Sequence, residues 1–216
     1  MNNTKFIVFD SARIEVLNSG SSVFIGENAG KKDDYSSNAN IAIGFSALSD
    51  NTTGSYNTAI GENALRTNKI NGRSTAIGYQ AMTYADNRSS EGLFTNNTAV
   101  GCQALRGGSP TEDNTGRYNT ALGDASMYAN TSGNFNTAVG YNSLKGNNEG
   151  SFNTAIGSLA LPYNTTGKYN VAIGNYVLET NKTNSRSTAI GYQAMKNADS
   201  RTTGGRDTYN TALGYD

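Results

Sequence analysis

Tyr56-Asn57-Thr58-Ala59-Ile60-Gly61-Glu62-Asn63-Ala64-Leu65 decides the fold, because this stretch returns with small changes along the whole chain. Its glycine recurs at Gly26, Gly44, Gly61, Gly78, Gly101, Gly123, Gly140, Gly157, Gly174, Gly191 and Gly214. The steps between them are 18, 17, 17, 23, 22, 17, 17, 17, 17 and 23 residues. A fixed period of this length signals a solenoid, in which each repeat is one structural unit stacked on the next. The chain therefore reads as all-β, a β-solenoid of about eleven short rungs.

Each rung is numbered here from its glycine. Position −3 is β-branched throughout: Thr58, Thr75, Thr98, Thr120, Thr137, Thr154, Thr188 and Thr211, with Val23, Ile41 and Val171 elsewhere. Position −1 is always Ile, Val or Leu. β-Branching suits a pleated, half-buried surface, and side chains two apart share one strand face. We expect positions −3 and −1 to point into the core. Position −2 is then on the opposite face. It is Ala59, Ala76, Ala99, Ala121, Ala138, Ala155, Ala172, Ala189 and Ala212, also Ala42, and Phe24 in the first rung. An alanine ladder on an outer face suggests a seam against the same ladder of a neighbouring chain, with Phe24 plugging one end.

Position −4 is mostly Asn, with Ser22, Ser74 and Ser187. Asn and Ser bond their own backbone at turns, Asn tolerates left-handed dihedrals, and stacked Asn side chains satisfy one another. The rung glycine allows a positive φ and a tight turn. A small residue and then Leu or Met follow at +3 and +4, as in Ala64-Leu65 and Ser143-Leu144. They read as a second short strand or turn that closes a thin core. Gly54, Gly116, Gly133, Gly150 and Gly167 punctuate the return loop. The aromatics at −5 (Tyr56, Tyr118, Phe135, Phe152, Tyr169, Tyr209) read either as a packing stripe or as a surface that stacks on sugars.

Residues 1–20 fall outside the repeat and read as two strands that cap the first rung or attach the rod upstream. The head repeats occupy 21–216. The longer steps create insertions at 83–96, 106–117 and 196–208, and insertions in solenoids leave the rod on one side, often the binding side. Candidate receptor contacts on or beside them are Tyr84, Arg88, Glu91, Phe94, Arg106, Glu112, Asp113, Arg117, Arg201 and Arg206. A second period overlies the first. Residues 67–82 match 180–195 at an offset of 113, and a 23-residue step follows both copies, as in a fibre lengthened by duplication. The chain stops at Asp216 in mid-rung, which reads as a piece of a longer fibre.

Composition narrows the function. There is no histidine, so every His-based triad, general base or metal site is excluded. The single Cys102 has no candidate base, and no intrachain disulfide is possible. There are 17 basic and 17 acidic residues and no Lys/Arg run, which argues against nucleic acid as a partner. No stretch approaches the ~18 apolar residues of a membrane span, and Phe6-Ile7-Val8-Phe9 is too short for a signal peptide. Neither a phosphate loop nor a calcium repeat is present, and no cofactor or metal is expected. A glycosidase needs two carboxylates roughly 5–10 Å apart, and nothing repeats or fixes such a geometry among Asp86, Glu91, Glu112 and Asp113.

The Asn-Thr-Ala-Ile-Gly core followed by x-x-Ala-Leu resembles the head repeats of YadA-like trimeric autotransporter adhesins. Similar repeats occur in fibres of phages and contractile injection systems. The resemblance covers roughly residues 22–216 in eleven copies. It implies a left-handed parallel β-roll with three chains around one axis, attachment without catalysis, and partners that are itself, a cell-surface receptor or glycan, and an upstream fibre or baseplate protein. The period here is mostly 17, longer than the common adhesin-head repeat. With no signal peptide or anchor barrel in view, a fibre carried outside the cell on a virion or injection particle fits better than an autotransporter, with cell-surface display the alternative. Three other readings stand beside adhesion: a plain spacer, a glycan-cleaving fibre, and an ice-binding face built on the Thr ladder. The inward slot expected for Thr argues against the last.

Overall fold

The computed structural model describes residues 21–34, 36–84, 94–108, 115–197 and 204–215. Eleven three-residue strands, β1 (Val23–Ile25) through β11 (Thr211–Leu213), form one parallel sheet in unbroken sequence order. Register is rung to rung at every described step: Thr137, Ala138 and Val139 lie against Thr154, Ala155 and Ile156. The chain is a parallel β-solenoid, and each rung contributes a single strand.

The second segment of the rung is a turn, not a strand. Residues at +2 and +4, such as Asn142 (φ 54°) and Leu144 (φ 48°), take the left-handed conformation, as does position −5, for example Phe135 (φ 56°). Three left-handed residues per rung curl the chain back within 17 residues. Neighbouring rungs stay bonded through these turns: Leu144 N–H donates to Ala160 O at 3.0 Å, and Asn142 N–H to Asp124 O at 3.0 Å.

The core is a narrow strip of small residues and one long aliphatic per rung. Ala42, Ala59, Ala76, Ala99, Ala121, Ala138, Ala155, Ala172 and Ala189 at −2 are all 0% exposed, packed on the Ala/Ser and Leu/Met of +3 and +4. The side assignment read from the sequence is therefore reversed. The alanine ladder lines the chain's own core and has no surface to offer a neighbouring chain, while −3 and −1 face outward. Ala212, in the last strand, is half-buried on the same inner side. Phe24 likewise points inward and packs against the core. It fills the space left by Gly30, where a Cβ would lie 2.5 Å from its ring. The first rung thus exchanges Ala at −2 and Leu at +4 for Phe and Gly.

Asparagine wires the inside. The −4 side chains form a ladder in which each Oδ1 accepts the next −4 backbone N–H: Asn119 to Asn136 (2.9 Å), Asn136 to Asn153 (2.9 Å), Asn153 to Asn170 (3.0 Å). Each Nδ2 then crosses the core to a return-loop carbonyl, as Asn136 does to Gly150 O at 2.8 Å. A second ladder, Asn130–Asn147–Asn164, runs along that loop. Asn51, Asn130 and Asn164, which sit in glycosylation-type sequons, are buried, and each donates to a backbone carbonyl three residues on, so the folded chain closes them to modification.

At the Ser rungs the arrangement changes. Ser74 Oγ meets Thr95 Oγ1 at 2.5 Å, and Ser187 Oγ meets Thr208 Oγ1 at 2.6 Å. Parallel bridges Gly72–Phe94 and Ser185–Asp207 accompany them. Both pairs of features are 113 residues apart, so the duplication read in the sequence has a structural counterpart. The residue shortened from Asn to Ser is completed by a Thr at the end of the following insertion.

Candidate functional site

The outward face of the sheet is a regular surface that runs the length of the described rungs. It has three columns. Position −1 exposes aliphatics: Ile25 51%, Ile77 36%, Leu122 36%, Ile156 38% and Ile190 36%. Position −3 contributes half-exposed Thr with Val and Ile. Position −5 contributes aromatics. In these columns only Arg73 and Arg186 carry charge.

Strict period places the −5 rings one above another. Tyr118–Phe135, Phe135–Phe152 and Phe152–Tyr169 stack with centroids at 4.7, 5.0 and 4.9 Å and planes within 6°. The column continues through Arg186, whose guanidinium lies 5.0 Å from Tyr169 and 5.5 Å from Tyr209. Asp207 accepts from Arg186 Nε at 2.9 Å, and this hydrogen bond holds the guanidinium further above its ordinary pKa. Within this stack of four the facing ring surfaces are taken up by one another, while Tyr56 and Tyr209 stand outside it. Of the two readings of this stripe, packing is the one this geometry serves, since a sugar stacks on a free face.

The described insertion residues do not converge on one place. Phe94 receives the Arg73 guanidinium at 3.8 Å beside the −5 column. Arg117 borders a shallow groove with Tyr118, Asn134 and Phe135 on that same side. Tyr84 and Arg106 belong to the +6 and +5 columns respectively, with the Arg106 guanidinium 4.6 Å from Tyr84 and 5.0 Å from Tyr128. Arg206 is exposed, and its N–H donates to Asn184 Oδ1 at 3.2 Å. Arg88, Glu91, Glu112, Asp113 and Arg201, like the strand pair expected in 1–20, lie outside the described residues.

One irregularity pairs a glycine at +6, found elsewhere only at Gly107, with the one proline at +5, and periodicity alone could not reveal it. Between the +5 and +6 columns, Gly146 offers no side chain and Pro162 follows one rung on. The result is a notch of about 290 Å3 lined by Tyr128, Asn142, Lys145, Leu159, Pro162 and Tyr163. Cys102 lies at the exposed +1 column. Desolvation, with the Asp124 carboxylate adding to it, pushes its thiol above the ordinary range, away from nucleophilic character. Among the described residues no group of three or more Asp, Glu or Cys could hold a metal ion, and no helix is long and apolar enough to cross a membrane.

Comparison with known protein families, with characterised proteins and with solved structures finds no match to this chain.

Proposed function

We propose that this chain is a non-enzymatic segment of an adhesive fibre: a homotrimer of left-handed β-rolls that attaches a phage or phage-like particle to a cell surface. The observation that carries the reading is the outward face of β1–β11. Eleven rungs at roughly 4.8 Å, by about 15 Å across the three columns, give on the order of 750 Å2 per chain, which a trimer divides between two neighbours. Two charges in that whole area make it inexpensive to desolvate. A second copy offers the same columns at the same pitch, so Ile can meet Ile along the full length. The seam expected at the alanines moves to the −1 and −3 columns. An upstream fibre or baseplate protein would carry the segment, and the insertions at 83–96, 106–117 and 196–208 would face the receptor.

Three weak contacts acting together give avidity without a deep pocket. Fluorescent chain should coat receptor-bearing cells at a concentration about 100-fold below that needed by an Ile156→Arg variant, whose buried charge separates the chains. Equal coating by both proteins would remove the multivalent reading and leave a spacer.

The outward Thr column favours a second reading. Half-exposed Thr repeating rung by rung beside aliphatics is the flat array an ice-binding face requires, and the inward slot that argued against it is absent. A protein that stays monomeric and depresses the freezing point below its melting point would support ice binding over the fibre.

A further inference from the structure

The geometry points to a second binding site: the notch at Gly146 takes a single acidic sugar, a pyranose bearing a carboxylate. Three features converge there. The first is an apolar floor and wall, from Leu159, Pro162 and the half-exposed Tyr163 ring, suited to the C–H face of a pyranose. Leu159 stands at +2, where Asn, Gln or Ser occupies most other rungs.

The second is Asn142. It is 7% exposed and lines the notch, yet its side-chain amide makes no hydrogen bond among the described residues. Two +2 amides of other rungs are engaged: Gln103 donates to Gln80, and Asn63 to Glu62. An amide open to the notch offers a donor and an acceptor together, the pair that two vicinal sugar hydroxyls satisfy. The third is Lys145, exposed at the mouth and in no ion pair among the described residues. Its ammonium selects a carboxylate. The volume, about 290 Å3, is at the small end for ligand pockets and fits one sugar residue, not an oligosaccharide.

The site lies on the +2 to +6 turn, clear of the columns assigned to the seam. It supplies the adhesive reading with a ligand class, and three copies would multiply a weak contact.

Saturation-transfer NMR on the whole chain, with glucuronic acid, N-acetylneuraminic acid and glucose as probes, tests the assignment. At about 10 mM sugar, saturation should reach the ring protons of an acidic sugar and be about tenfold weaker for glucose. Asn142→Leu and Lys145→Glu should each lower the acidic-sugar signal by a similar factor. Each copies a residue found at the same position of another rung, Leu159 and Glu179, so the fold accepts both. No saturation of either acid, equal saturation of acid and glucose, or a signal unchanged in both variants overturns the assignment. A chain that fails here and still coats cells as a trimer keeps the fibre reading and loses only the notch.

Discussion

Gly140→Ala, like the same change at the other rung glycines, is expected to be among the most damaging single substitutions in the regular part of the rod. Gly140 has φ 125°, a region that only glycine occupies comfortably. A Cβ there would lie 2.6 Å from Gly157 O and 2.7 Å from its carbonyl carbon. Neither atom can yield, because Gly157 meets Gly174 in the same way. Strain and clash together should cost on the order of 4 kcal/mol, a fall of about 10 °C in Tm for a chain of this size. Gly146→Ala is the control. Gly146 is not in the left-handed region, and its nearest contact would be 3.0 Å, to Pro162 O. It should cost about 1 kcal/mol or less. Equal effects from the two substitutions would contradict the rung-to-rung contact of the glycines.

The next largest effect belongs to the internal ladder. Asn136→Leu removes the acceptor of Asn153 N–H and the donor to Gly150 O, and both backbone groups sit where water cannot replace the partner. Each orphaned group costs about 1–3 kcal/mol, so a loss of about 3 kcal/mol is expected in thermal or denaturant unfolding. Asn136→Ser should not rescue it. Serine is native at positions 74 and 187, but there a Thr from the following insertion meets the hydroxyl, and no insertion follows Gly140. A serine variant as stable as the native protein would show that the ladder adds nothing.

The period, the rung glycines, the parallel stack and the stacking of Asn were legible in the sequence. Each depends on a repeated steric or hydrogen-bonding need that leaves one residue type at one position. The sidedness of the strand was not. With three residues per strand, either parity satisfies the alternation rule, and the usual preference for large β-branched side chains inside pointed the wrong way. The coil is too narrow for it: one Leu or Met and two small residues already fill each rung, so the bulkier Thr and Ile are left outside. The signal was present in the first rung, the one place where Ala at −2 gives way to Phe and the one place where Leu at +4 gives way to Gly.

Left-handed residues were also misplaced. Asn at −4 has the side chain for that conformation but uses it in the ladder, while Phe135, Asn142 and Leu144 take the left-handed turns. Stacking and burial at those positions offset the roughly 1 kcal/mol that each costs. The notch was invisible to repeat analysis because it arises from departures at Gly146, Leu159 and Pro162, which are noise against the period. Of the expected contact residues, Tyr84 and Arg106 are joined by a cation–ring contact, while Phe94 and Arg117 belong to another column.

The central claim is that the Ile and Thr columns, not the alanines, form the seam between chains. Light scattering on the native protein and on Ile156→Arg tests it most directly. The native protein should show three times the chain mass of 22.8 kDa, and the variant a single chain still folded by circular dichroism. A native protein that runs as a monomer, or an Ile156→Arg variant that remains a trimer, would contradict it.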